Sequence, residues 1–426
     1  MHANEQPASR YRSLLVIGLG YVGLPLAAEA SRSGLRVTGL DQDPAICCRL
    51  SAGRSHVQDI ADGELADMLA TGFRAVAMEQ DAGPHEVIVI CVPTPLSADG
   101  TPDLSAVRSA AGTAGRLLRP GNLVVLESTT YPGTTDEIVR PILEKESGLT
   151  TGIDFYLAFS PERIDPGNQA FGLRNTPKIV GGVTPQCTSA ATAFYEMICD
   201  QVVSAKSARE AEMAKLLENI YRHVNIALVN EIAMFCHEFG IDFRDSIRCA
   251  ATKPFGFQPF YPGPGVGGHC IPVDPGYMSY KVRALGYPFR FAELAAEING
   301  RMPRYVAGRV AALLNEHGKP VKGARVLLLG VTYKADVSDL RETPALPLAR
   351  LLLARGANLA YFDPYAPSWT VDSTPVPSAA SLSEALATAD IVILLQAHTC
   401  YDLEVINQRS ALLLDTRGVT RSGESL

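Results

Sequence analysis

The chain has no regular cysteine spacing, no long apolar run and no surplus of basic charge, and each absence closes off a class of protein. Its nine cysteines are odd in number and contain no CxxC pair or Cys/His ladder. A disulfide framework and a zinc-stapled domain are both poor fits, and reduced thiols in a cytoplasmic protein are expected. No apolar stretch reaches the roughly 18 residues that a membrane helix needs. The opening MHANEQPASRYRS likewise lacks the apolar centre of a secretory leader. Lys and Arg number 38 against 45 Asp and Glu, for a net charge of -7. Nucleic acid and anionic membranes are therefore not attracted in general, and an anionic ligand must be held by local groups. Apolar residues are plentiful, at 47% against 19% charged, and 426 residues suit two or three packed domains.

Near the start, the apolar run Ser13 to Ile17 leads directly into Gly18, Gly20 and Gly23, and LPLAA follows with helical periodicity. A strand, a tight turn and a helix are expected, with the helix N-terminus facing an anion. RVTGLDQDP then reads as a second strand ending at Asp41. A carboxylate about twenty residues after the glycines can accept hydrogen bonds from an adenosine ribose, which favours NAD over NADP. PHEVIVICVPTP is a further buried strand running into Pro93 and Thr94, and NLVVLESTT another, ending in Ser128, Thr129 and Thr130. Hydroxyls at the carboxyl ends of such strands either meet nicotinamide and substrate or cap the next helix. DFYLAFSPERIDPGN repeats the plan, with Glu162, Arg163 and Asp165 in the loop after the strand.

From Ser207 to Phe239 there is no glycine or proline, and apolar residues recur at helical spacing from Met213 to Phe235. Such a helix spans roughly 50 Å. It is expected to join two domains and to pack against a second subunit. Lys215 and Asn219 lie four apart on one face, where they suit stabilising a developing negative charge, or else Lys215 is simply solvated. Cys236, His237 and Cys249 read as packing residues. Beyond them PGPGVGGHCIPVDP places Cys270 behind Gly263, Gly265, Gly267 and Gly268, with Asp274 four residues on. This loop is either a covalent-catalysis site or a buried thiol in a tight turn.

The last third echoes the first. GARVLLLG, a helix-like run and a strand ending at Asp363 follow the opening order, but Tyr333 and Lys334 stand where a glycine-rich turn would be. Lys334 and Arg341 suit a diphosphate or surface ion pairs. The expected architecture is α/β, with two Rossmann-like doubly wound domains joined by a long central helix and a helical middle domain. The boundaries expected are 1–205, 206–305 and 306–426.

Taken in order, GLGYVGLPLA, CVPTPL, EST, FSPER, the Lys215 and Asn219 pair, GVGGHCIPVDP and YKADVSDLRETP resemble the UDP-glucose/GDP-mannose dehydrogenase family over nearly the whole chain. The resemblance implies an NAD-dependent four-electron oxidation of the C6 hydroxyl of a nucleotide-linked hexose to a carboxylate. It implies Cys270 as nucleophile, through a thiohemiacetal and a thioester, and Lys215 and Asn219 as the oxyanion-stabilising pair. Asp274 is implied as partner of the water or base, and Glu162 and Thr129 as binding water and moving protons. Cofactor contacts are implied at Gly18, Gly20, Tyr21, Val22, Gly23, Asp41, Pro93, Thr94, Ser128 and Thr129. Substrate contacts are implied at Glu162, Arg163, Lys215, Asn219, Tyr261, Gly267, Lys334 and Arg341. No metal, nucleic acid or membrane partner is expected, and a homodimer or higher homo-oligomer is.

Two departures bear on substrate. The glucose-oxidising branch commonly reads GGSCFPKD, whereas here His269 replaces the serine and Val273 the lysine, and Pro166 stands where a second glutamate would be. The wording looks more like the branch acting on N-acetylhexosamine nucleotides, and UDP- or dTDP-glucose stays open. Two other readings remain at this point. A two-electron hydroxyacid dehydrogenase also pairs such a domain with a lysine and an asparagine, and a silent NAD-binding sensor would use the glycine turn alone.

Overall fold

Apolar runs without alternation, such as SLLVI, VIVI and LVVL, suit strands covered on both faces, and all three are buried throughout. The computed structural model describes residues 11–97, 100–168, 170–268, 271–421 and 423–426. They form two compact units, one of residues up to Glu218 with Gly276–Lys281, the other of Asn219–Pro275 with Val282–Leu426.

The first unit is built on eight strands: β1 (Ser13–Ile17), β2 (Arg36–Leu40), β3 (Arg74–Val76), β4 (Val87–Ile90), β5 (Leu123–Leu126), β6 (Tyr156–Phe159), β7 (Lys178–Gly182) and β8 (Val202–Ser204). Their order is β3-β2-β1-β4-β5-β6-β7-β8. Every pair is parallel except β6 with β7. Strand order reverses beside β1, whose Ile17 pairs with Leu40 on one side and Ile90 on the other. A crevice at the carboxyl ends of β1 and β4 is where such a sheet takes ligands. Leu14, Val16, Val87 and Val89 face one buried cluster with Leu24, Ala27 and Phe194.

The second unit carries β9 (Arg325–Leu329), β10 (Asn358–Phe362), β11 (Thr370–Val371), β12 (Thr374–Pro375), β13 (Ile391–Leu394), β14 (Leu413–Asp415) and β15 (Glu424–Ser425). Five of them make a parallel sheet in the order β10-β9-β13-β14-β15, while β11 and β12 form a short hairpin. Leu328, Leu348, Leu352, Tyr361 and Trp369 lie in its core. The echo between the two sheets extends to single atoms. Asp41 Oδ2, after β2, accepts from Leu19 N at 2.9 Å, and Asp363 Oδ2, after β10, accepts from Val331 N at 2.7 Å and Thr332 N at 3.0 Å.

The glycine-free stretch forms one helix, Ala208–Glu238, which starts in the first unit and continues into the second. Its apolar residues do not share one face. Leu216 and Ile220 are buried, whereas Leu217, Tyr221, Leu228 and Phe235 are exposed. Cys236 is buried as expected, but His237 and Cys249 are exposed rather than packed. Cys249 lies on the helix Phe243–Ala250, where Ile247 is the residue turned inward. Among the described residues, no helix is long and apolar enough to cross a membrane, and no group of three or more His, Cys, Asp or Glu is placed to hold a metal ion.

Candidate active site

In the first unit the turn after β1 is shaped by what its glycines omit. Gly18 has φ +94°, and a Cβ there would lie 2.6 Å from Cys91 O at the end of β4. A Cβ on Gly23 would sit 1.9 Å from Gly18 O, so turn and helix touch backbone to backbone. Gly20 instead faces open space. The helix that follows, Gly23–Arg32, has no side-chain cap and no acid in its first turn. Its N-terminal N–H groups therefore face an uncapped cradle, which suits a diphosphate. Asp41 is fixed beside it by Leu19 N and by Asp43 N at 3.0 Å. A carboxylate held in this way keeps lone pairs for ribose hydroxyls. These residues fit a dinucleotide, with Tyr21 and Val22 half-buried in the same turn.

At the ends of β4 and β5 the predicted hydroxyls are mostly committed to backbone. Ser128 Oγ donates to Val92 O at 2.7 Å, and Thr94 Oγ1 to Thr129 O at 2.8 Å. These bonds hold the two strand ends together. Thr129 is half-buried and Pro93 exposed. Thr94 O in turn accepts from the Tyr277 hydroxyl.

The loop after β6 folds the Glu162 side chain back on itself, so that Oε1 accepts from Arg163 N at 2.6 Å and Ile164 N at 2.5 Å. Lys215 Nζ, nearly buried, donates to the Glu162 carbonyl oxygen at 2.6 Å. The Arg163 guanidinium pairs with Glu218 at 2.8 Å and donates to Pro177 O at 2.5 Å. Three residues that the sequence reading passed over lie beneath. Glu127, directly after β5, is within 3.1 Å of Lys178 Nζ and accepts from the Tyr195 hydroxyl. The only local signal was a charged residue closing an apolar strand, a position usually solvated.

The second unit holds the remaining predicted residues. Cys270 and His269 lie outside the described residues. The loop before them is described to Gly268. Gly263 N donates to Asn230 Oδ1 at 2.9 Å, and Asn230 Nδ2 donates to Asn299 Oδ1 at 2.9 Å. A Cβ on Gly267 would meet Glu342 O, Pro344 Cδ and Tyr333 Cβ, each at 2.9 Å. Gly268 N bonds Arg341 O at 3.3 Å. The glycines thus bring residues 265–268 onto the segment 333–344, which carries Lys334 and Arg341. That segment includes Asp336 and Glu342 at φ 63° and 50°, a left-handed backbone that non-glycine residues seldom take. Asp339 grips the Arg341 guanidinium, with Nη2 to Oδ2 at 2.6 Å. Lys334 is half-buried and Tyr261 exposed, the latter with the Arg244 guanidinium 5.4 Å from its ring. After the loop, Asp274 is buried at the start of the helix Asp274–Arg283, and its Oδ2 accepts from Asn219 Nδ2.

Comparison with known proteins covers most of the chain. The family model for the UDP-glucose/GDP-mannose dehydrogenase NAD-binding domain matches residues 12–199, that for the central domain matches residues 209–301, and that for the UDP-binding domain matches residues 327–422. The chain is 37% identical over 351 residues to a UDP-N-acetyl-D-glucosamine 6-dehydrogenase of Pseudomonas aeruginosa, covering 82% of each chain. It is 33% identical to an NDP-N-acetyl-D-galactosaminuronic acid dehydrogenase of Ralstonia solanacearum, covering 96% of each. Among solved structures, a UDP-D-ManNAc dehydrogenase from Pyrococcus horikoshii superposes with a TM-score of 0.87 at 32% identity, with 96% of both chains covered.

Proposed function

The chain belongs to the UDP-glucose/GDP-mannose dehydrogenase family, and on that premise we propose that it is an NAD-dependent 6-dehydrogenase of a UDP-N-acetylhexosamine. What supports the reading is the seating of residues 265–268, which directly precede His269 and Cys270 of the motif in the chain, on residues 333–344, which carry Lys334 and Arg341. The relatives' names favour the N-acetylated sugars, as do His269 and Val273 in the loop. On this reading the working parts are residues 1–205, 206–305 and 306–426.

NAD, when bound, is the two-electron acceptor for each oxidation of C6. Gly18, Gly20, Gly23 and the uncapped helix would hold its diphosphate, with Asp41 on the ribose. Between the two oxidations the Cys270 sulfur adds to the aldehyde carbon as a thiohemiacetal, which keeps the reactive species from escaping. After the second, the acyl group sits on sulfur as a thioester. Water then attacks the carbonyl carbon, the C–S bond breaks, the thiolate returns and the carboxylate leaves. Lys215 and Asn219 donate to the substrate oxygen as negative charge builds on it. Glu162 takes the proton of the attacking water, with Thr129 and Asp274 orienting that water. Lys334, Arg341 and Tyr261 bind the nucleotide diphosphate portion.

The test is a panel of UDP-N-acetylglucosamine, UDP-N-acetylmannosamine, UDP-glucose, GDP-mannose and dTDP-glucose, scored by NADH formation. Two NADH per sugar and a Cys270→Ser variant arrested at or before the ester stage are expected. One NADH per sugar, or full turnover by Cys270→Ala, would return the reading to a two-electron dehydrogenase. The exposed Leu217, Tyr221, Leu228 and Phe235 on the long helix suit a second copy of the chain, so light scattering should give at least a dimer.

A further inference from the structure

A charge cluster in the first unit lies beneath Glu162, and its use rests on the proton-accepting role just given to that residue. Lys178 Nζ, at the start of β7, is 3.1 Å from Glu127 Oε1 and 3.6 Å from Glu162 Oε2. The side chains of Lys178 and Glu127 are 4% and 0% exposed, and that of Glu162 only 12%. One buried ammonium therefore serves two carboxylates. Burying such a pair often costs more than apolar packing, since the low-dielectric interior penalises each ion, so a pair kept there invites the question of its task. The same low dielectric makes the charges act strongly on one another.

Two other cations lie near Glu162, and both are the same in every variant of this cluster. Lys215 engages its carbonyl oxygen, and the Arg163 guanidinium turns toward Glu218 and Pro177. Burial pushes the Cys91 thiol well up and the Cys199 thiol up to about 12, so both stay neutral. Burial, with Glu127 behind it, likewise raises the Tyr195 phenol. Burial works against the Lys178 ammonium, but Glu127 and Glu162 together outweigh it and keep it charged. Burial raises the Glu127 carboxyl, with Lys178 opposing and Glu162 adding to the rise. A small cavity lined by Glu162, Ile164, Thr176 and Lys178 adjoins the cluster.

We propose that Lys178 and Glu127 are positioning residues acting through Glu162: the shared ammonium faces and holds the Glu162 carboxylate, and Glu127 governs how much of the ammonium's charge Glu162 receives. The sign follows from the geometry. Without the Glu127 charge, Lys178 serves Glu162 alone and its ionised form persists to lower pH. Without the Lys178 charge, two carboxylates face each other and the ionised form of Glu162 is disfavoured.

The experiment is the pH dependence of kcat for NADH formation with the panel sugar turned over fastest, using the intact protein and four variants. In Glu127→Gln the acidic limb should move down by about one pH unit, and in Lys178→Met up by about one, with KM changed less than twofold. Lys178→Arg should leave the limb in place. A merely structural pair would lower kcat evenly at every pH and leave the limb unmoved, which overturns the inference. Glu162→Gln separates the two levels. If it loses about a hundredfold or more while the other limbs stay put, only the inference falls; if it keeps the wild-type rate and limb, both fall. Should Lys178→Met not fold, the nearly isosteric Glu127→Gln decides alone, and an unmoved limb there sinks the proposal.

Discussion

Lys215 Nζ donates to the carbonyl oxygen of Glu162 across 2.6 Å, so the long helix holds the peptide of the loop that follows β6. Lys215→Ala would leave that carbonyl without its donor and, on the function proposed above, the substrate oxygen without its cation. Loss of the buried bond should cost about 1–3 kcal/mol, read as a lower melting temperature. Steady-state kinetics should show kcat down by about 100- to 1,000-fold, as for other oxyanion donors, with a much smaller change in KM.

The glycines of the first turn should separate into two kinds. Gly23→Ala would drive a Cβ to 1.9 Å from Gly18 O, so the turn must open and the protein should lose about 3 kcal/mol or more. Gly20→Ala points into open space and should melt like the wild type in the absence of cofactor. Its added methyl crowds the diphosphate cradle, so the stabilisation produced by NAD in a thermal-shift titration should shrink.

Asn219 Nδ2 donates to the Asp274 carboxylate, a neutral-to-acid contact. Asn219→Asp would set two carboxylates against each other beside the buried Asp274. Like charges raise the pKa of one of them, so the penalty is present at neutral pH and fades as that group protonates. In denaturant titrations Asn219→Asp should be less stable than Asn219→Ala by about 1–3 kcal/mol at pH 7.5, with the gap narrowing toward pH 5.

His223 gives the second unit a measurable acid sensitivity. Burial alone lowers its imidazole to about 4 from an ordinary 6.5, so the folded chain holds it neutral. The unfolded chain then binds the proton first, and the stability this residue contributes is present above pH 6.5 and lost as the pH falls through 4. Between pH 7.5 and 5 the wild type should lose about 1–2 kcal/mol more than His223→Gln.

Much of the site could be read from local pattern. The strand, the glycine triplet and Asp41 needed only the order of residue types, because the tight turn at Gly18 and the close backbone approach at Gly23 each admit glycine alone and Gly20 completes the spacing. The helix Ala208–Glu238 matched its glycine-free stretch to within a residue at each end. Local pattern failed where one face of an element was decided by remote neighbours. Leu217 and Phe235 carry the same periodic signal as Leu216, yet they are exposed and it is not. His237 and Cys249 were expected to pack and do not, for the same reason.

Residue order by itself determined the two α/β sheets, the glycine cradle with its fixed aspartate, and the placing of Lys215 and Asn219 one helical turn apart. Those features follow from backbone sterics and helical period, which act over a few residues. Only the tertiary structure decided that Lys178 lies between Glu127 and Glu162, that Asp339 grips Arg341, and that Gly267 must be bare because Tyr333 and Pro344 press on it. Lys178 is separated from Glu127 by a helical segment, β6 and their loops, and the electrostatic energy between them depends on distance in space and on exclusion of water. Neither quantity leaves a periodic mark on the chain.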